Sequence, residues 1–204
     1  PAAQLDAQWA RLVQEVDQAL RARLPADDAP AQALAWRWVR LVIARTSNNP
    51  LLANKLKALQ QSETRAQQIV GIHPAMLDWI GQAMAHARTA LFAKYLTPRQ
   101  TAEVRRRQLA AMAELDAWPS LMASVRAHLL EGTPAEAPAM QALMQRWRQL
   151  FRDSYCGDDA TLEAGVRSAF AHEPDLMLGV GVDDALMRYV RQAQNVPNPT
   201  TDSP

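Results

Sequence analysis

This 204-residue sequence has little of several features that commonly reveal a function. Its single cysteine, Cys156, excludes an internal disulfide framework. It has no secretory signal pattern and no apolar run long enough to cross a membrane, so we expect a cytoplasmic protein without a membrane partner. A formal net charge of +1, from 22 basic and 21 acidic residues, gives no general attraction to nucleic acid.

Catalytic and cofactor motifs are also missing from the sequence. It contains no nucleophile elbow, no phosphate-binding P-loop, no zinc-type His-Glu-x-x-His pattern and no cysteine pair at metal-ligand spacing. The four histidines share no ligand spacing. The stretch Gly179-Val180-Gly181 lacks the third glycine and the preceding strand of a dinucleotide loop, so it predicts a turn between helices. We therefore expect no catalysis, no metal and no cofactor.

What the sequence does contain is the three- to four-residue apolar periodicity of amphipathic helices. This periodicity predicts an all-α protein with helices over about 5–24, 30–47, 51–61 and 74–96, and further helices beginning near 98, 118, 140, 160 and 184. Thr97, Pro98 and Gln100 combine an N-cap hydroxyl, a proline at the first helical position and a capping-box glutamine. The chain therefore turns back at Thr97, and the helices on either side form a central hairpin.

The second half of the sequence repeats the first. Trp118 lies 109 positions after Trp9, and Leu150 lies 109 positions after Leu41. The first-half residues that recur 109 positions later are Trp9, Leu12, Val16, Leu20, Pro25, Gln32, Ala33, Leu34, Arg37, Trp38 and Leu41. After a shift of one residue, the matches continue with Glu63, Ala75 and Ala83, which correspond to Glu173, Ala185 and Ala193, and Trp79 corresponds to Tyr189. The pattern predicts an internal duplication in which Trp38 and Trp147 are core residues of their copies.

Aromatic and methionine side chains suggest a binding site on this helical frame. Two bundles joined by a hairpin leave a groove between them, and small-molecule sites favour such interfaces. Aromatic rings and adaptable methionines suit an elongated aromatic ligand. The unmatched aromatic residues are the ones most free to bind it, namely Trp36, Phe92, Tyr95, Tyr155 and Phe170. An aromatic stripe at helical spacing is also what a plain core produces, so periodicity alone leaves both interpretations open.

The repeated pattern Gln-Ala-Leu-x-x-Arg-Trp-x-x-Leu, present at 32–41 and again at 141–150, resembles the antibiotic-recognition domain called TipAS. The stretches 173–177 and 184–190 are similar to later parts of the same domain. Two fused copies joined by a segment such as 91–96 resemble the albicidin-binding resistance proteins of Gram-negative bacteria. The resemblance extends over nearly the whole chain.

That resemblance implies two tandem TipAS-like helical repeats, residues 1–96 and 97–195, joined by a long central helical hairpin and followed by a disordered tail, residues 196–204. It also implies a ligand tunnel between the repeats, in which a linear aromatic oligoamide such as albicidin is sequestered without chemical change. We accordingly expect a monomeric, non-catalytic protein that binds a peptide antibiotic and confers drug resistance.

The expected ligand-binding residues come from both halves and from the hinge between them. They are Trp36, Trp79, Phe92, Tyr95, Tyr155, Phe170, Met177 and Tyr189, with Arg88 and Gln108 as polar contacts. The resemblance implies that Phe92 and Tyr95 form part of the aromatic wall of the tunnel, although a tryptophan is usual in the family where Phe92 stands. Thiopeptide-binding relatives carry a reactive cysteine where this sequence has Glu163, or Asn54 in the first copy, so we do not expect covalent capture.

Two other interpretations remain open from the sequence. The chain can be the effector-sensing domain of a MerR-type transcription regulator whose DNA-binding domain lies outside it. It can also be a helical scaffold in which every aromatic side chain belongs to the core, and this interpretation predicts no small-molecule ligand.

Overall fold

A computed structural model describes residues 2–62, 71–111 and 116–196, which are helical and contain no strand. The helices are α1 (Ala2–Arg21), α2 (Ala29–Thr46), α3 (Pro50–Ser62), α4 (Pro74–Phe92), α5 (Pro98–Ala111), α6 (Ala117–Leu130), α7 (Pro138–Phe151), α8 (Ala160–His172) and α9 (Asp184–Gln194). A π turn, Arg152–Cys156, continues α7, and a 3-10 turn, Pro174–Met177, follows α8. The predicted all-α fold class is therefore confirmed. The predicted tail beyond residue 196 and the matched Glu63 lie outside the described residues.

The central hairpin turns at the residues that the sequence indicates. The Thr97 hydroxyl accepts a hydrogen bond from the Gln100 backbone N–H at 3.3 Å, and the Gln100 side chain accepts one from the Thr97 N–H at 3.0 Å. This reciprocal pair is a capping box, and it starts α5. Helix α4 ends at Phe92, four residues earlier than predicted, because the chain needs 93–96 to reverse direction.

The buried side chains form three clusters. The first joins α1, α2 and α4, and the second joins α6, α7 and α9. The third lies around the end of α4 and combines Phe92, Leu96 and Val104 with buried residues of α8, the π turn and the 3-10 turn. The hairpin therefore shares a core with the second half of the chain, which fixes α8 beside it.

The first and second clusters are built from corresponding positions. Residues 109 positions apart are buried in both halves in the pairs Leu12 and Leu121, Val16 and Val125, Ala31 and Met140, and Ala35 and Met144. Trp79 donates its indole N–H to the Leu24 carbonyl at 2.9 Å, and Tyr189 donates its hydroxyl to the Thr133 carbonyl at 2.8 Å. The same architectural contact is thus made by different residues at corresponding positions.

The turn that precedes these carbonyls also has the same backbone conformation in the two halves. Arg23 has a φ of 55° and Gly132 has a φ of 69°, so both are left-handed. Arg23 ends α1 earlier than the predicted residue 24, because a left-handed residue cannot continue a right-handed helix. Corresponding contacts at offsets of 109 and 110 residues are the pattern that an internal duplication produces.

Candidate functional site: an aromatic cleft in the second half

A cleft of about 860 Å³ opens in the second half of the chain. Five aromatic rings and three methionines contribute to its wall, together with aliphatic and charged side chains. The lining residues are Trp118, Met122, Trp147, Phe151, Tyr155, Arg167, Phe170, Ala171, Pro174, Met177, Leu178, Val180, Val182, Asp183, Asp184, Met187, Arg191 and Gln194. The cleft is large enough for a drug-sized ligand, and its lining is mostly apolar.

The aromatic rings of the cleft contact one another in two groups. Trp118 and Trp147 pack edge to face, with ring centroids 5.4 Å apart and an interplanar angle of 87°. Tyr155 has its centroid 5.3 Å from that of Phe151 and 5.3 Å from that of Phe170. Such tilted and edge-to-face contacts fix the ring orientations, so the cleft presents a pre-formed aromatic wall.

The π turn positions two of these rings. Its defining hydrogen bond runs from the Gly157 N–H to the Arg152 carbonyl at 2.7 Å, one residue further than in an α-helix. Ser154 is buried within the turn, and its hydroxyl accepts the indole N–H of Trp118 at 3.0 Å. The next residue, Tyr155, faces the cleft. The turn therefore holds Trp118 from behind and contributes Tyr155 to the wall.

One wall of the cleft is a short segment, 174–182, that also rests on the first half of the chain. Pro174, Met177, Leu178, Val180 and Val182 line the cleft. Other positions of the same segment face α2, α3 and α4, as the following contacts show. This segment is consequently a wall that the two halves share.

Polar contacts attach the shared wall to the first half. Arg40 of α2 pairs with the Asp175 carboxylate at 3.1 Å, and the Asn48 side chain donates to the Val182 carbonyl at 2.9 Å. Arg88 of α4 donates a hydrogen bond to the Leu176 carbonyl. The bonds from Asn48 and Arg88 satisfy backbone carbonyls of an irregular segment, which fixes its path.

Glycine allows the shared wall to approach the first half closely. A Cβ atom at Gly181 would lie 2.7 Å from the Pro50 ring, and Gly181 has a φ of 79°. Both the space and the backbone conformation therefore require glycine at this position. The predicted turn at 179–181 is confirmed, and this close contact explains its second glycine.

Two of the four charged side chains that line the cleft, Arg167 and Asp183, have partners of their own. The Arg167 guanidinium bonds to Glu163 at 2.6 Å and lies over the Phe151 ring at 4.8 Å. The Asp183 carboxylate caps α9 by accepting the Leu186 N–H at 2.8 Å and also pairs with Arg126 at 2.7 Å. The Leu186 N–H, followed by Arg126, holds the pKa of Asp183 below its ordinary value. Both groups therefore stabilise the wall to which they belong.

Three of the sequence-predicted binding residues line this cleft, and three others lie directly behind it. Tyr155, Phe170 and Met177 are in the wall. Phe92 is only 1% exposed, and its ring centroid lies 5.6 Å from that of Phe170. Burial raises the pKa of the Tyr155 phenol, whereas the Arg88 charge and a hydrogen bond with Gln108 lower it. Arg88 and Gln108 therefore meet the hydroxyl end of Tyr155.

Tyr95 lies at the outer side of the third cluster. Its ring stacks on the His172 ring with centroids 5.8 Å apart, and its hydroxyl donates to the Glu173 carboxylate at 3.0 Å. Burial and this hydrogen bond raise the pKa of Tyr95. Lys94 bonds to the same carboxylate at 2.9 Å, so Tyr95 links the end of α4 to the start of the shared wall.

The remaining predicted residues lie away from the cleft. Trp79 and Tyr189 are core residues of the first and second clusters, with 8% and 6% exposure. Trp36 is half-buried on α2, and the Arg40 guanidinium lies 5.9 Å from its ring. None of these three side chains lines the cleft, and Tyr189 belongs to the second cluster, against which Trp118 and Trp147 pack.

Sequence reasoning missed several residues of the wall, most importantly Trp118, Trp147 and Phe151. The sequence predicts a core position for Trp147 because it corresponds to Trp38. Trp38 is 7% exposed, whereas Trp147 is only partly buried and lines the cleft. A signal was present at the neighbouring positions, since Phe151 is much larger than Val42, which lies 109 positions before it.

Other candidate chemistry is limited in the part of the chain that the structure describes. Over residues 2–62, 71–111 and 116–196, no cluster of three metal-ligating side chains is found. No helix within those ranges has the length and apolarity needed to cross a bilayer. Cys156 is 1% exposed, and burial raises the pKa of its thiol, which opposes thiolate formation. Comparison with known protein families and with curated proteins finds no match to this sequence.

Proposed function

We propose that this chain binds and sequesters a peptide antibiotic, an elongated aromatic oligoamide of the albicidin type, without altering it chemically. In this proposal the ligand lies in the aromatic cleft of the second half. The observation that carries the proposal is the wall of five aromatic rings and three methionines around about 860 Å³. Aromatic faces and thioethers offer a flat ligand extensive contact without committing it to one orientation of polar groups.

The energetics of such a site suit sequestration. Burial of apolar surface contributes roughly 25 cal/mol per Å², so a largely enclosed aromatic ligand can bind tightly after the costs of ordering. The wall is already ordered by ring contacts and by the Ser154 hydrogen bond. A pre-formed wall lowers the cost of binding, which favours slow release.

The proposal includes two tandem TipAS-like repeats. The constant offset of buried positions, the paired hydrogen bonds of Trp79 and Tyr189, and the paired left-handed turns support this duplication. In a tunnel between the repeats, the shared wall 174–182 would be the element that the second repeat presents to the ligand and that the first repeat supports from the other side. Its first-half contacts through Arg40, Asn48 and Arg88 support that role.

Calorimetric titration of albicidin into the protein tests the proposal. We expect saturable one-to-one binding that weakens more than tenfold in Phe170→Ala, because that ring is part of the wall. Trp36→Ala is the matched control, since Trp36 is a half-buried aromatic residue outside the cleft, and it is expected to bind as the wild type does. Absence of heat with the wild-type protein, or equal weakening in both variants, would contradict the proposal.

A further inference from the structure

The two halves differ in length by one residue, and the structure locates that residue. Leu150 in α7 corresponds to Leu41 with an offset of 109. Asn49 and Asp159, which are 110 positions apart, accept the backbone N–H groups of Leu52 and Leu162 at the starts of α3 and α8. The extra residue of the second half therefore lies between 150 and 159. The π turn Arg152–Cys156 lies in this interval and accommodates one more residue than an α-helical turn.

In the first half, which lacks the extra residue, the corresponding tryptophans, Trp9 and Trp38, pack directly against each other. Trp9 and Trp38 have ring centroids 4.7 Å apart, and Trp38 is 7% exposed. The last turn of α2 places the Arg45 guanidinium over the Trp9 ring at 5.4 Å. The Trp9 indole nitrogen is buried without a hydrogen-bond partner among the described residues. An aliphatic Val42 stands where the second half has Phe151.

In the second half, the π turn supplies a hydrogen-bond acceptor for the indole of Trp118, whereas the end of α2 supplies none for the indole of Trp9. Ser154, which is 4% exposed, gives the Trp118 indole a hydrogen-bond acceptor at 3.0 Å. Trp118 is held edge to face against Trp147, and Trp147 stays partly exposed in the cleft. The same turn directs Tyr155 into the wall. The half that contains the inserted residue therefore has both a hydrogen-bonded Trp118 indole and an open aromatic cleft.

We propose that the extra residue of the π turn opens the ligand site, and that Ser154 is its positioning residue, acting through Trp118. This inference rests on the proposed function for the identity of the ligand. It restricts aromatic-ligand binding to the second half, so that each chain takes one ligand although its two halves have matching frames. Ser154 itself does not contact the ligand, because its hydroxyl is committed to the indole behind the wall.

The first test replaces Ser154 by alanine. The indole N–H resonance of Trp118, assigned from its loss in Trp118→Phe, is expected to shift upfield and exchange faster in Ser154→Ala, whereas the other indole resonances stay in place. Affinity for albicidin is expected to fall roughly fivefold, the effect typical of one lost hydrogen bond. Ser124→Ala is the matched control, because that exposed hydroxyl bonds only to its own helix at the Ser120 carbonyl, 3.1 Å away. Unchanged affinity in Ser154→Ala would overturn the positioning role.

The second test removes the extra residue. Asp153 is exposed, and its deletion restores the offset of 109 throughout the second half. A soluble nitroxide broadens the NMR signals of solvent-accessible indole groups. In the unliganded deletion variant, we expect the Trp147 indole signal to be broadened no more than that of Trp38. We also expect at least a fiftyfold loss of albicidin affinity. A folded deletion variant in which Trp147 stays accessible would overturn the inference, and if the deletion does not fold, Ser154→Ala decides.

These outcomes separate the inference from the proposed function. If the wild-type protein does not bind albicidin, the named ligand fails, while the nitroxide measurement on unliganded protein still decides whether the π turn opens the cleft.

Discussion

The two halves of the chain share a frame but differ in what they present to solvent. Many of their buried positions correspond, and equivalent turns and hydrogen bonds recur at an offset of 109 residues that becomes 110 after the π turn. The first half fills the space beside its tryptophan pair with Val13 and Val42, whereas the second half has Met122 and Phe151 there. Met122 and Phe151 are buried, with 3% and 9% exposure, and both also border the cleft.

Burial at corresponding positions maintains the frame in both halves, while the residues around it determine whether a cleft forms. Leu77 is 8% exposed in the first half, and its counterpart Met187 lines the cleft of the second. The two halves therefore differ at corresponding positions, because the tryptophan pair of the first half is packed together whereas the tryptophan pair of the second half borders the cleft. The closed half supports the shared wall through Arg40 and Asn48, so it contributes to the site without lining the cleft.

The largest expected effect comes from truncating the corresponding tryptophans of α2 and α7. Trp38→Ala is expected to lower the free energy of unfolding by about 3–5 kcal/mol, because it removes a buried ring and leaves a cavity. Trp147→Ala is expected to cost about half as much, because its ring is already partly exposed. Urea unfolding measures both values.

Albicidin binding is expected to rank the same two variants in the opposite order. Trp147→Ala removes part of the wall and is expected to abolish measurable albicidin binding. Folded Trp38→Ala protein is expected to retain albicidin binding. Equal losses of stability and of binding in the two variants would remove the distinction between a closed and an open half.

The frame was largely predictable from the sequence, and the position of the cleft was not. Periodicity and caps identify helices locally, which is why the capping box at Thr97 occurs as expected and α8 and α9 begin at the predicted residues 160 and 184. Trp38 and Trp147 lie in the same repeated motif, so the sequence alone predicts the same environment for both. Their environments differ because of neighbours from other helices and because of the π turn.

The π turn itself left only one trace in the sequence, the change of offset from 109 to 110. Arg152–Cys156 contains no glycine or proline that would predict a break in α7. The turn depends on tertiary contacts, such as the hydrogen bond between Ser154 and Trp118. Local propensity contains no information about such a contact, so the residues that it brings into the wall were missed.

A smaller effect is expected from the corresponding hydrogen bonds of Trp79 and Tyr189, which test whether the two cores are equivalent. Tyr189→Phe removes only the hydroxyl that donates to the Thr133 carbonyl, and it is expected to lower the free energy of unfolding by about 1 kcal/mol. In the first half, Trp79→Tyr replaces the indole N–H that donates to the Leu24 carbonyl by a tyrosine hydroxyl, which is the donor that Tyr189 uses in the second half. Trp79→Phe leaves the Leu24 carbonyl without either donor. The difference between those two variants is expected to match the effect of Tyr189→Phe. A mismatch of more than about 1 kcal/mol would show that the cores have diverged as well as the clefts.

The smallest effect on the free energy of unfolding is expected at Arg23 and Gly132, the left-handed residues that follow the first helix of each half. Gly132→Ala and Arg23→Gly are expected to change that free energy in opposite directions. Gly132 has open space where a methyl group would be added, so Gly132→Ala tests backbone conformation alone and is expected to destabilise the protein by about 1 kcal/mol. Arg23 already bears the left-handed cost, which is about 1–2 kcal/mol, and glycine relieves it at an entropic cost of about 0.5–1 kcal/mol. Arg23→Gly is therefore expected to stabilise the protein by roughly 0.5 kcal/mol, measured by the same urea unfolding. Destabilisation by both substitutions would mean that the Arg23 side chain, and not the backbone conformation, determines stability at this turn.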